Sequence, residues 1–251
     1  MDPVNIKRKA AFEDTNPDFV IMELVATKYE LILNKYCVLR PQFVLHTRLH
    51  EPQATLLGYD DLDAAWLALV ALGHLYMAIY NGGKDAGASV GHKHLQILPR
   101  PSSFGLDSLI MKQLRHSGQD RADDKDSASM PMKHSGLTSA LSAVPYQLAV
   151  RILSGDMDIS TVHHTYNMLR EELTLDPDTP NNLIVTHDCI ALIPRQRACI
   201  EEISGYTANA AAMMGMVWVQ SEDLFNRWLQ YGPMRVLSAQ ARTHGREQSA
   251  R

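Results

Sequence analysis

One segment, His92-Lys93-His94-Leu95-Gln96-Ile97-Leu98-Pro99, narrows the folds open to this chain more than any other stretch. It alternates polar and apolar residues and stops at a proline, the pattern of a half-buried strand. Successive side chains on a strand point to opposite faces. His92, His94 and Gln96 therefore share one face, while Leu95, Ile97 and the stem of Lys93 turn toward a core. The segment is entered through Asn81-Gly82-Gly83-Lys84-Asp85-Ala86-Gly87-Ala88-Ser89. Glycines allow close backbone approach, and turned backbone amides make concavities that hold anions. Two imidazoles and a carboxamide in line, fed by such a loop, point to phosphoryl or nucleotidyl chemistry.

The residue types suit that chemistry. A neutral imidazole, with a reference pKa of about 6.5, is largely unprotonated near neutrality and can attack phosphorus. Covalent catalysis by histidine divides one transfer into two displacements. Lys84 offers a positive charge and Ser89 a hydroxyl. Gln96 does not titrate, but its amide can donate to a non-bridging phosphate oxygen. Arg195 can grip phosphate bidentately or simply terminate a strand. Zinc is the competing reading of His92 and His94. A structural zinc takes four ligands and a catalytic one three plus water. Cys37, Cys189 and Cys199 are dispersed, however, and His163 and His164, adjacent on a helix, point about 100° apart. No metal site and no obligatory cofactor are expected; Mg2+ can ride on substrate phosphates without a protein cage. His46, His50, His74, His163, His164 and His187 read as ordinary surface or packing residues.

Along the chain, residues 1–17 read as a flexible arm, 18–240 as a single domain with a mobile insertion at 115–137, and 241–251 as a disordered tail. Strands are expected over Tyr29–Tyr36, Phe43–Thr47, Pro145–Leu153, Asn182–Thr186 and Cys189–Ile193, with a turn at Arg40-Pro41. Asp60–Tyr80 reads as one helix with Leu62, Trp66, Leu69, Val70 and Met77 at helical spacing and Gly73 on the same stripe. A second helix is expected over Asp158–Leu173, burying Val162, Tyr166 and Leu169. Ser204–Met216 reads as a close-packed helix or turn, and Val217 and Val219 as a short strand. Ser221 caps a helix that runs to Tyr231 and ends at Gly232-Pro233.

Composition excludes several classes. Lys and Arg total 24 against 28 Asp and Glu, a net charge of −4, which argues against broad nucleic-acid binding. Met1-Asp2-Pro3-Val4-Asn5 lacks the apolar core of a signal peptide, and no stretch is long and apolar enough for a membrane. Three scattered cysteines fit a reducing compartment, with the cytoplasm as default and the nucleus left open. Oligomeric state is also left open.

These residues resemble the diadenosine tetraphosphate phosphorylases (ATP adenylyltransferases) of fungi and microbes, within the histidine-triad and galactose-1-phosphate uridylyltransferase superfamily. Its hydrolases carry His-x-His-x-His. The transferase branch has glutamine third, as does His92-Lys93-His94-Leu95-Gln96. Further landmarks keep their order: Leu31-Ile32-Leu33-Asn34-Lys35-Tyr36, then Thr47, Gln53, Leu57, Asp61 and Leu62. Pro145-Tyr146, Asn182-Leu183-Ile184-Val185-Thr186, Pro194-Arg195 and Gly232-Pro233-Met234-Arg235-Val236-Leu237 follow. The resemblance implies an α+β fold, a histidine-triad-like antiparallel sheet flanked by helices. It implies His94 as the nucleophile forming a nucleotidyl-histidine, Gln96 holding the α-phosphate, and His92 supporting the site. Asn34, Lys35, Asn81, Gly82, Lys84, Gly87, Ala88, Ser89 and Arg195 would contact substrate.

The implied reaction is phosphorolysis of diadenosine tetraphosphate, or a related adenosine polyphosphate, to ATP and ADP, with nucleotide and phosphate as partners. The chain departs from the pattern at Gln42 and Leu148, where the family usually has histidines, and at Ser89-Val90-Gly91, where it has Ser-Gln-Pro. Family members also usually begin with several dozen additional residues. These departures keep two alternatives in view: a transferase or hydrolase acting on another phosphorylated or adenylylated metabolite, and an inactive nucleotide-binding regulator.

Overall fold

The structure, a computed structural model, describes residues 11–12, 15–101, 144–153 and 157–244. The insertion expected at 115–137 and residues 245–251 of the expected tail lie outside the described residues. Eight strands form one sheet in the order β1-β2-β3-β5-β4-β7-β8-β6. They are β1 (Val20–Leu24), β2 (Tyr29–Leu33), β3 (Phe43–Thr47), β4 (Tyr76–Gly82), β5 (His94–Pro99), β6 (Ala149–Ile152), β7 (Asn181–Val185) and β8 (Cys189–Pro194). Every neighbouring pair is antiparallel, and helices flank the sheet, giving the expected α+β architecture.

Side-chain alternation builds two cores. On one face, Tyr29, Leu31, Phe43, Leu45, Ala78, Tyr80, Leu95, Ile97, Leu183 and Leu192 pack with helices α1 (Tyr59–Leu72) and α2 (Ile159–Glu172). On the other, Met77, Ile79, Leu98, Ile184, Ala191 and Ile193 pack beneath α3 (Ala210–Met213), α4 (Glu222–Tyr231) and α5 (Pro233–Gln240). The second core excludes Val44, His46, His94 and Gln96. This leaves a polar strip on β3 and β5 beside it.

Ser221 caps α4 as expected, accepting from Leu224 N–H, and the structure adds Asp158 as the cap of α2, accepting from Thr161 N–H. Val162, Tyr166 and Leu169 are buried as expected. The long helix over Asp60–Tyr80 is corrected. It stops at Leu72, where Gly73 takes φ 86° and returns its N–H to Leu69, and the chain re-enters the sheet as β4. A helical stripe and a strand buried on both faces place apolar residues alike over so short a run. Pairing of Tyr76-Met77-Ala78-Ile79-Tyr80 with β5 and β7 on either side decided the outcome. Val20–Leu24, to which the sequence reading assigns no element, pairs with β2 as the edge strand β1. Val217 and Val219 form no strand. Gly232-Pro233 ends α4 and also starts α5, because proline is suited to the first turn of a helix.

Candidate functional site

The strip is held from both sides. Behind it, Lys93 turns to the α1 face, where its ammonium lies 2.8 Å from Glu51 Oε2 and 3.0 Å from Asp61 Oδ2. Tyr29 donates to Asp61 Oδ1 at 2.7 Å, and Gly58 N–H donates to Asp61 Oδ2 at 2.8 Å. Burial pulls the Lys93 pKa down, but the hydrogen bonds and charges of Glu51 and Asp61 outweigh it and leave the group above its ordinary value. This buried network ties the start of α1 to the residue between the two motif histidines.

Strand β5 begins at His94 instead of His92, which joins Pro52 through an isolated bridge. Gln53 explains the break. Its Oε1 accepts from His94 N–H at 2.7 Å, while its Nε2 donates to His94 O at 3.0 Å and to Asn81 O at 2.9 Å. One carboxamide thus replaces ladder hydrogen bonds where β4 and β5 part, and fixes both backbone groups of His94.

His94 is 5% exposed. Its Nδ1 lies 2.8 Å from His92 O. A carbonyl only accepts, so Nδ1 carries the proton and the Nε2 lone pair remains for chemistry. Burial is the chief force lowering the His94 pKa; the His92 carbonyl opposes it, and the neighbouring His92 and His46 rings reinforce it. The ring is therefore neutral near pH 7. Gln96, half-buried, follows on the same face. His92 contacts Thr47 O at 2.7 Å and Thr47 Oγ1 at 3.0 Å through Nε2, and Ala11 O at 3.0 Å through Nδ1.

Three residues join the site that their residue types had not marked out. His46, expected to be ordinary, lies opposite His94 in the β3–β5 register. Its Nδ1 meets Thr47 O at 3.0 Å, and burial lowers its pKa ahead of the opposing Thr47 and Glu30 contributions. Phe12, in the expected arm, stacks on His46 at 4.4 Å and 9°, and lies 5.7 Å from His94. Gln42 donates from Nε2 to Gln96 Oε1 at 2.9 Å. The alternation of Phe43 and Leu45 toward the core places Gln42, Val44 and His46 on one face. That signal was legible; the pairing of this strand with the histidine strand was not.

The glycine loop is corrected in part. Asn81 and Gly82 finish β4. Asn81 Oδ1 accepts from Asn182 Nδ2 at 2.9 Å and from Ala210 N–H at 2.8 Å, so it binds protein rather than substrate. Gly82 is buried, opposite Asn181. The N–H groups of Ala86 and Ala88 donate to Gly83 O and that of Gly87 to Lys84 O, so these amides serve the turn and not an anion. Gly87, at φ 89°, packs its backbone against Ala208 and Asn209. Lys84 and Ser89 are both exposed on this loop.

Arg195 does not grip phosphate. It is 2% exposed and donates to Asn182 Oδ1 at 2.6 Å, Gln240 O at 3.1 Å, Arg197 O at 3.0 Å and Ala208 O at 3.1 Å. Burial pulls its pKa down to about 10, against Tyr206 and Tyr146, so it is charged at neutrality and cements the loop to α3. At the other end of the strip, Asn34 Oδ1 accepts from Tyr36 N–H at 2.9 Å, and its own N–H donates to Gln42 O. Lys35 is exposed, 5.6 Å from the Tyr36 ring. Among the described residues, no group of three or more His, Cys, Asp or Glu is placed to hold a metal, and no helix is long and apolar enough to cross a membrane.

A continuous antiparallel sheet presents His94 and Gln96 from its central strand β5, with His92 in the bridge just before it, an arrangement suited to carrying a phosphoryl group on an imidazole. The model of the Ap4A phosphorylase N-terminal domain matches residues 4–115, and that of the ATP adenylyltransferase C-terminal domain matches residues 142–242. The chain belongs to the Ap4A phosphorylase family. Protein APA1 of Saccharomyces cerevisiae is 25% identical over 211 residues, 79% of this chain and 64% of that protein. Diadenosine 5',5'''-P1,P4-tetraphosphate phosphorylase 2 of the same yeast is 25% identical over 245 residues, 87% of this chain and 72% of that protein. The crystal structure of yeast Ap4A phosphorylase Apa2 with AMP superposes with TM-score 0.72 at 21% identity, covering 93% of this chain and 81% of that one. The complex with Ap4A gives 0.71 at the same identity and coverage. This chain therefore spans just under two thirds of the first relative's length.

Proposed function

We propose that the protein cleaves diadenosine tetraphosphate by phosphorolysis, through an adenylyl group carried on His94. The carrying observation is the His94 ring itself: buried, neutral, and bonded through Nδ1–H to a carbonyl, so that Nε2 is the nucleophile. Nε2 attacks the α-phosphorus; the Nε2–P bond forms and the P–O bond to the remaining triphosphate breaks, releasing ATP. A phosphate oxygen then attacks the same phosphorus, the P–N bond breaks, and ADP leaves with His94 restored. The His92 carbonyl, accepting from Nδ1–H, stabilises the positive charge that the ring gains on phosphorylation. Gln96 donates to a non-bridging oxygen, and Lys84 supplies a cation at the loop. Mg2+ would ride on the polyphosphate and help neutralise it.

Family membership and the relatives named as Ap4A phosphorylases support this reading. Three scattered cysteines, Cys37, Cys189 and Cys199, support a reducing, cytoplasmic setting. The test is incubation with diadenosine tetraphosphate and phosphate, with separation of products and mapping of acid-labile label. ATP and ADP in equal amounts, with label on His94, are expected. The His94→Ala variant should lose at least about 10³-fold in kcat while remaining folded. Activity of that variant at the normal rate, or release of AMP alone, would sink the proposal.

A further inference from the structure

We infer that Gln42 is a positioning residue that decides which end of the Gln96 amide faces the reacting phosphate; its kinetic consequence rests on the phosphorolysis reading above. A carboxamide is nearly symmetric in shape, and its final torsion is broad and roughly two-fold. Left alone, Gln96 would present its oxygen as readily as its nitrogen, and an oxygen repels a phosphate oxygen. Here a backbone group breaks the tie. Val38 N–H, which only donates, lies 3.3 Å from Gln42 Oε1. The oxygen end of Gln42 is thereby fixed, and its Nε2 must donate to Gln96 at 2.9 Å. Gln96 in turn must answer with Oε1, which leaves its Nε2–H2 as the end away from Gln42.

The placement is geometric as well. Phe43 pairs with Ile97 and Val44 with Gln96, so Gln42 is the diagonal neighbour of Gln96, a distance long side chains bridge. Gln42 is 8% exposed, so its amide is held in place rather than solvated. The chain Val38 N–H, Gln42, Gln96 runs in one direction and ends in a donor. Its last group shares a strand face with His94, where the adenylyl group would sit. Gln42 never touches substrate in this scheme; it acts through Gln96.

Substituting Gln42→Glu tests the direction of the chain. A carboxylate at 42 still accepts from Val38 N–H, but it can only accept from Gln96. The Gln96 amide must then turn, presenting Oε1 to the phosphate. The expected loss is on the order of 10²-fold in kcat at pH 8, the usual scale for one lost oxyanion donor, with KM changed by less than about threefold. On acidification the introduced carboxylate protonates. Its carbonyl oxygen then accepts from Val38 while its hydroxyl donates to Gln96, reproducing the native pattern. The ratio of variant to wild-type rate should therefore rise at least about fivefold between pH 8 and pH 5.5, and a merely structural defect would show no such recovery. In a Gln96→Ala background, Gln42→Glu should change kcat by less than about twofold. Side-chain amide NMR gives a second readout that needs no turnover: Gln42→Glu should shift the Gln96 Nε2 proton resonances downfield as that group becomes a donor to carboxylate. The inference is overturned if the two substitutions multiply independently, or if the Gln96 amide resonances stay where they are. Failure of the wild type to form ATP and ADP would reject the phosphorolysis reading alone, and the resonances would still decide the role of Gln42.

Discussion

Replacing Gly87 by alanine isolates the geometry that the loop before the histidines requires. Gly87 sits at φ 89°, and a Cβ there would lie 2.9 Å from both the Ala208 carbonyl carbon and Asn209 Cα, and nearer still to the Ala208 oxygen. Ordinary contact begins at 3.4 Å, so one backbone segment must retreat by more than about 0.5 Å. The left-handed conformation costs an alanine roughly 1–2 kcal/mol, and forced displacement of packed groups about 1–3 kcal/mol more. The expected destabilisation is about 2–5 kcal/mol, or roughly 4–20 °C in Tm for a chain of this size. Gly91 is the internal control: a Cβ there meets nothing within 4 Å, and its φ is not positive. Gly91→Ala should stay within about 0.5 kcal/mol of wild type. Calorimetric unfolding of the two variants side by side, with phosphorolysis rates on the same samples, makes the comparison. A Gly87→Ala protein melting within about 1 °C of Gly91→Ala would refute the argument that close approach of Ala208 holds this loop.

Arg195→Met should cost about 3–5 kcal/mol in urea unfolding, since it strands the Asn182 Oδ1 and the Gln240 and Ala208 carbonyls in the interior; a cost below about 1 kcal/mol would return Arg195 to a role at the substrate. The acid limb of kcat/KM should lie below pH 6.5, because burial holds the His94 pKa down and the ring stays a nucleophile into mild acid. Phe12→Ala, by admitting water beside His46 and His94, should move that limb upward toward 6.5; a pH profile unchanged by the substitution would exclude Phe12 as a desolvating cover. The folded-state pKa values of His46, His94 and His187 are all lowered by burial, so the unfolded chain binds more protons below about 6.5. Stability should therefore fall as pH drops through that window.

Local pattern carried much of the architecture. The alternation over residues 92–99 placed His94 and Gln96 on one face and Leu95 and Ile97 in the core. The Ser221 cap marked one helix start, the helical spacing of Val162, Tyr166 and Leu169 marked another helix, and the paired apolar runs at 182–186 and 189–193 marked adjacent strands. Each of these depends on side chains within a few residues of one another. The misreadings share a different cause. The segment Tyr76–Tyr80 became a strand through neighbours on both sides of the sheet, so its own spacing could not arbitrate. Arg195 next to Pro194 had the chemistry of a phosphate ligand, yet the carbonyls of Ala208 and Gln240 arrive from distant sequence and consume its donors.

The sequence by itself thus determined the chemistry this protein can attempt: a neutral imidazole and a carboxamide set two residues apart on a strand, with no cysteine framework or basic surface to suggest another trade. Tertiary structure decided which groups serve that imidazole. Gln53, Gln42, His46 and Phe12 lie tens of residues from His94, and hydrogen-bond direction, ring stacking and burial arise only when β3, β4 and β5 are assembled. Strand periodicity is a property of neighbours along the chain. Partner choice is a property of the folded sheet.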